Sequence, residues 1–199
     1  MKSWKLIAGA LLCLPVVAGL AAQDEKKQQP GKDEKAFPTF TPSKEHQLLK
    51  KFDGEWEFTS KCMMPGMEEM EGKGTETARM TFGGFWSDCE AKGTMGGKEW
   101  SGRAIVGFDP QKKKYVGYWV DSMTPYVYRF EGDADAMGKM WNFKTQGVDP
   151  KTGKETTERM VWEFKDPDHR TMKFFAKDES GKEIQVSEMT YTRKPAMIK

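Results

Sequence analysis

Met64, Met67 and Met70 recur at every third position after Cys62, and soft sulfur ligands of this kind select Cu(I). The same stretch, Cys62-Met63-Met64-Pro65-Gly66-Met67-Glu68-Glu69-Met70, carries the Pro-Gly pair of a hairpin loop, where methionine is an adaptable filler of uneven packing. A second set is aromatic and charged. Tyr115, Trp119 and Asp121 alternate onto one face of a segment that is apolar throughout, and Arg159 and Glu188 are charges inside later segments whose neighbours include Val161, Val186 and Tyr191. A charge turned toward an apolar interior is costly unless paired, so the expectation is a mostly aromatic cavity in which Asp121, Arg159 and Glu188 orient a small amphipathic molecule. Trp56, at the start of the first strand, should seat against the closing end of that cavity. The competing reading makes the same charges a structural ion network or a solvent-facing set.

Catalytic inventory is sparse. His46 and His169 have no adjacent Ser or Cys, and Ser122 follows Asp121 without a strand-turn-helix elbow. Glu55, Glu57, Glu163 and Glu183 fall on the polar sides of alternating segments, and no Gly-rich loop precedes a helix. The expectation is a non-catalytic protein with no cofactor and no assigned metal ligand.

The elements that would position these residues are strands. Trp56, Phe58, Ser60, Cys62 and Met64 alternate with Glu55, Glu57, Thr59 and Lys61. The pattern continues through Ala78, Met80 and Phe82, then Trp100, Ala104, Val106 and Phe108, then Tyr126, Tyr128 and Phe130. Trp141 and Phe143, Met160, Trp162 and Phe164, and Met172, Phe174 and Ala176 complete it. Turn residues separate the runs at Gly83-Gly84, Gly96-Gly97, Asp109-Pro110, Asp149 to Gly153, Asp166-Pro167-Asp168 and Ser180-Gly181. Such spacing predicts an all-β fold, an antiparallel up-and-down barrel of about ten strands over 55–193. Thr41-Pro42-Ser43 opens one short helix, from about Ser43 to Lys51, as a lid on one barrel end. Lys114 to Ser122 is apolar on both faces, which predicts cover on both sides.

Ahead of the domain, Lys2 and Lys5, an apolar run from Leu6 to Val17 and a small-residue end at Ala18 to Ala22 have the build of a secretory signal peptide over 1–22. The run is shorter than the roughly 20 residues of a membrane span, and Leu11 and Leu12 before Cys13 argue against a lipid anchor. Residues 23–42 are charged and poor in apolar side chains, a disordered spacer, which leaves 43–195 as the barrel domain. Removing Lys2 and Lys5 from 32 basic side chains balances them against the 30 acidic ones. Nucleic-acid binding needs a basic excess and is not expected. The expected location is periplasmic or secreted. Cys62 and Cys89 are then the remaining cysteines, an even pair in an exported protein, but with a strand between them their Cα atoms would stand about 9.5 Å apart. No disulfide is expected unless the first strand bends.

Gly54-Glu55-Trp56 resembles the Gly-x-Trp start of lipocalins and other calycin-type barrels. Pro65-Gly66, Gly83-Gly84, Gly107-Phe108-Asp109, Trp119 to Met123, Asp149 to Gly153, Glu158-Arg159, Gly181-Lys182-Glu183 and Glu188 to Arg193 follow in an order similar to the bacterial domain of unknown function 1579. The resemblance spans His46 to Lys194 and implies a lipocalin-like barrel without an assigned activity. Haem-binding barrels related to nitrobindin place two glycines where this chain has Phe58 and Ser60, and use an axial His, so haem is not expected here. Two functional readings follow: a barrel that binds a small apolar or amphipathic ligand, or a filled barrel acting through its surface as an envelope module. Six tryptophans outside the leader favour filling, while ten strands leave room for a ligand.

Overall fold

The computed structural model describes residues 38–63, 68–149 and 152–195. The expected signal peptide (1–22), residues 23–37 of the expected spacer (23–42), and Met64 and Met67 of the sulfur-rich loop lie outside them. Phe40–Lys199 forms one compact unit. It opens with helix α1 (Lys44–Leu48) and a 3-10 turn (Leu49–Phe52), so the single helix expected to Lys51 is split in two. Ten strands follow among the described residues: β1 (Gly54–Cys62), β2 (Met70–Thr81), β3 (Trp86–Met95), β4 (Lys98–Asp109) and β5 (Lys114–Asp121). The second five are β6 (Tyr128–Ala134), β7 (Met140–Val148), β8 (Glu155–Asp166), β9 (His169–Lys177) and β10 (Glu183–Arg193). Each pairs antiparallel with the next, and β1 pairs with β10 from Trp56 opposite Arg193 to Cys62 opposite Ser187, which closes the barrel. Closure satisfies every strand edge and leaves no open template for aggregation.

Alternation decides what the barrel contains. Trp56, Phe58, Ser60 and Cys62 are buried while Glu55, Glu57, Thr59 and Lys61 are exposed, and the same inward parity holds for Trp141, Phe143 and Thr145 and for Met160, Trp162 and Phe164. Two assignments are corrected. Phe82 does not continue β2; it lies at positive φ in the turn before β3 and is exposed. Tyr126 precedes β6, which begins at Tyr128. Strand β5 is not covered on its outer side either, since Tyr118 and Val120 are 42% and 36% exposed.

One half of the barrel is filled. The 3-10 turn drops Leu49 and Phe52 into the end, and Phe52 meets Trp141, Trp162 and Phe164 at ring distances of 5.2, 4.8 and 5.1 Å. Tyr115 sends its hydroxyl to the Glu45 carbonyl at 3.1 Å, tying β5 to the helix. Trp56 is fully buried, its indole N–H donates to the Phe52 carbonyl at 2.8 Å, and the Arg193 guanidinium lies 4.0 Å from its ring. Arg193 also donates to the Asp53 and Lys51 carbonyls, so the last strand clasps the turn that enters the first. A side chain at Gly54 would collide with that guanidinium, and the residue's φ of 120° is open to glycine alone. Beneath lies an ion pair between Glu76 and Arg170, the latter 2% exposed and held 3.8 Å from the Tyr191 ring and 4.7 Å from Trp56.

Cys62 and Cys89 are not joined. Cys62 pairs with Met70, whereas Cys89 pairs with Ala78, which lies opposite Gly54, so the two cysteines sit near opposite ends of the sheet. Eight residues of strand separate those levels, about 26 Å at the strand rise.

Candidate ligand-binding cup

The barrel half away from α1 is lined by the ends of β1, β3, β5, β7 and β9 and the beginnings of the other five. Its inward aromatic side chains, Trp100, Trp119, Tyr128 and Phe174, are half-buried, in contrast to the closed rings of the other half. Two of them lie over glycine. A Cβ at Gly102 would collide with the Trp119 indole, and one at Gly147 with the Tyr128 ring. Each ring packs against the wall across the missing side chain. Trp119 and Trp100 stand 6.0 Å apart, and Tyr128 sits opposite Trp119 in the β5–β6 register, so the three line one arc of the wall, with the Trp119 ring leaning over β4 and the Tyr128 ring over β7.

Polar groups interrupt the arc. Trp119 Nε1 donates to Asp121 Oδ2 at 2.8 Å, while Asp121 Oδ1 accepts the backbone N–H groups of Met123 and Thr124 at 2.8 and 3.0 Å. Asp121 therefore both orients an aromatic ring and caps the turn leaving β5. Tyr128 donates to the Val148 carbonyl at 3.3 Å. Glu158 follows on β8, on the same parity as Met160 and Trp162. Burial raises its carboxyl above the ordinary range, and the Asp149 carboxylate adds to the shift. Burial raises the Tyr128 phenol as well, with Asp121, Glu158 and Asp149 all contributing. On the opposite wall Ser60 Oγ is buried, and it and Trp100 Nε1 are shielded atoms with no hydrogen-bond partner among the described residues.

The residues expected to form the site separate into three places. Trp56 and Tyr115 belong to the filled end. Trp119 and Asp121 belong to the cup. Arg159 and Glu188 are on the outer wall: Arg159 pairs with Glu183 at 2.5 Å and lies 3.9 Å from the Phe175 ring, and Glu188 reaches Lys173 at 3.7 Å and Gln185 at 3.0 Å. Hence the Asp121, Arg159 and Glu188 cluster does not form. Val161 misled, because it is an outward, half-buried valine on the parity of Arg159. Val186 misled because the sheet register shifts between Gln185 and Ser187, so its face does not carry over to Glu188. Glu158 was overlooked, although its even spacing from Met160, Trp162 and Phe164 marks it as the inward charge of β8.

Open grooves also mark the outer wall. One of about 480 Å³ is lined by Lys114, Glu131, Arg159, Phe175 and Glu183, and another of about 500 Å³ by Thr75, Glu90, Arg103, Val120 and Ser122. Their lining is largely charged or hydroxylic and faces solvent. Neither histidine enters the cup. His46 packs edge-on between Phe85 and Phe108 at 5.2 and 5.7 Å and accepts the Ser43 N–H, and His169 pairs with Asp166 outside the barrel. Of the sulfur-rich loop, Met70 is described as half-buried on β2. Among the described residues no group of three or more His, Cys, Asp or Glu is placed to hold a metal ion.

The family model for proteins of unknown function DUF1579 matches residues 41–193, the whole barrel with its helix. The chain belongs to that family. No curated protein matches it in sequence. Among solved structures it is similar to Rv2717c from M. tuberculosis, at 12% identity and a TM-score of 0.60 over 77% of this chain and 99% of that one. It is also similar to the S-type phycobiliprotein lyase CPES from Guillardia theta, at 13% identity and a TM-score of 0.51 over 75% and 92%. At such identities the likeness shows a shared barrel fold, which this member of DUF1579 closes with ten strands.

Proposed function

We propose that this DUF1579 protein is an exported, non-catalytic barrel that holds a small amphipathic molecule in the half away from its helix. The observation that carries the reading is the contrast between the halves. One is sealed by interlocking rings; the other presents half-buried Trp100, Trp119, Tyr128 and Phe174 together with the unpartnered Ser60 Oγ and Trp100 Nε1. A shielded polar atom without a partner costs roughly 1–3 kcal/mol, which a bound molecule with its own donors and acceptors would recover. Small-molecule sites have this make-up, mostly apolar with a few convergent polar groups. Export rests on the amino-terminal charge, apolar run and small-residue end, and mass analysis of the secreted protein should find it beginning at Ala22 or Gln23.

Nile red fluorescence tests the binding reading. The dye should brighten saturably with the protein, Trp119→Ala should weaken it, and Arg159→Met on the outer wall should not. A dye that stays dark, or responds to Arg159→Met and not to Trp119→Ala, rules the cup out. The exposed apolar Tyr118, Val120, Met123 and Val127 beside β5 favour the second reading, a module that works through its outer surface. That reading predicts Nile red signal sensitive to Tyr118→Ser instead.

A further inference from the structure

We propose that the molecule held in the cup is an organic cation, an amine or ammonium head on an apolar body; this rests on the reading of the cup as a ligand site. The charges that face inward differ between the two halves. In the filled half the acid Glu76 is matched by Arg170. In the cup the acids are Glu158 on β8 and Asp121 and Asp149 at the strand ends beside it, and all three act on the Tyr128 hydroxyl. Among the described residues the bases at inward-facing positions of this half are Lys98, at the tip of the β3–β4 hairpin, and Lys154, opposite Asp149 in the β7–β8 hairpin, both exposed. Among the described residues no base pairs with Glu158. The charge that acts on it is the carboxylate of Asp149, while Arg159 beside it, Lys144 and Lys173 on the adjoining strands and Arg129 on β6 sit at outward-facing positions.

A half-buried carboxylate on the inward face of the barrel, repelled by a second carboxylate, is stabilised by a positive ligand and by no paired base among the described residues. The rings have the complementary property. Trp119 and Tyr128, backed against Gly102 and Gly147, are half-buried on the inward side of the wall, and an ammonium over a ring face is attracted by the ring quadrupole. Independent of the acids, Ser60 Oγ is 3% exposed and unpartnered on the facing wall, an acceptor for an N–H of the ligand. An anionic or neutral ligand would use the aromatic arc and leave Glu158 without a counter-charge.

The test titrates the full chain with three eight-carbon probes, octyltrimethylammonium, 1-octanol and octanesulfonate, following tryptophan fluorescence and heat of binding. The cation should bind about tenfold more tightly than 1-octanol, the scale of one well-desolvated cation–π contact, and octanesulfonate more weakly still. Glu158→Gln should weaken the cation several-fold further toward 1-octanol, leaving only the part held by the rings, without changing the alcohol, while Glu131→Gln on the outer wall changes neither. Equal affinity for cation and alcohol, or a cation preference undiminished by Glu158→Gln, overturns the charge assignment while leaving the cup in place. Failure of all three probes removes the cup and the cation together.

Discussion

Glu76 and Arg170 bury opposite charges where the rest of the interior is aromatic, and the pair is stable only because each compensates the other. Arg170→Met leaves Glu76 buried alone and should cost about 3–5 kcal/mol in urea unfolding, whereas Arg170→Met combined with Glu76→Gln should recover most of that loss. Simple addition of the two single effects would contradict the pairing. Glu158 behaves oppositely because no base among the described residues pairs with it. Its folded-state pKa lies above the unfolded value, so the protonated form favours the fold, and stability from this site falls as pH rises past the ordinary carboxyl range through the raised value. Glu158→Gln should therefore raise the melting temperature at neutral pH and leave it unchanged in acid below the ordinary carboxyl range. An unchanged melting temperature at neutral pH would mean that Glu158 is freely hydrated. These two residues also show how far side-chain roles can be read from sequence. Parity alone puts Glu158 inside and Arg159 outside, but the Glu76–Arg170 pairing, 94 positions apart, does not follow from local neighbours.

At the scale of elements, strands were the readable part. Period-two alternation and Gly, Pro and Asp turns mark each strand, since a barrel wall has one dry and one wet face. The register shift near Val186 and the turn that expels Phe82 were not readable, because an irregularity in pairing leaves the apolar pattern intact while moving it to the other face. Helix α1 is five residues long and makes little helix of its own accord, so its contacts decide its stability. His46 is the centre of those contacts: burial holds its imidazole below the ordinary value, and it is neutral where it accepts the Ser43 N–H. A depressed folded-state pKa means that its contribution is complete above the ordinary imidazole range and is lost as pH falls through it. The stability of the native protein should decline between about pH 7 and 5 more steeply than that of His46→Gln, followed by chemical denaturation at each pH. Parallel declines would place the imidazole in water and loosen the lid from β4.

The Phe40–Lys199 unit is a barrel sealed at one end and lined with half-buried rings at the other. Its closure follows from β1 pairing with β10, a contact between the two ends of the domain that no sequence pattern displays but that a meander of ten strands makes natural. The central claim is that the open half is a binding site, and methionine methyl groups report on it directly. Met70 and Met189 lie on the inward faces of β2 and β10 in that half, Met80 lies toward the filled end, and Met137 is 74% exposed at the β6–β7 turn. In a methyl NMR titration with 1-octanol, the Met70 and Met189 resonances should shift together and saturate while Met80 and Met137 stay in place. Shifts confined to Met137 and the other surface methionines would place any binding on the outer wall and contradict the cup.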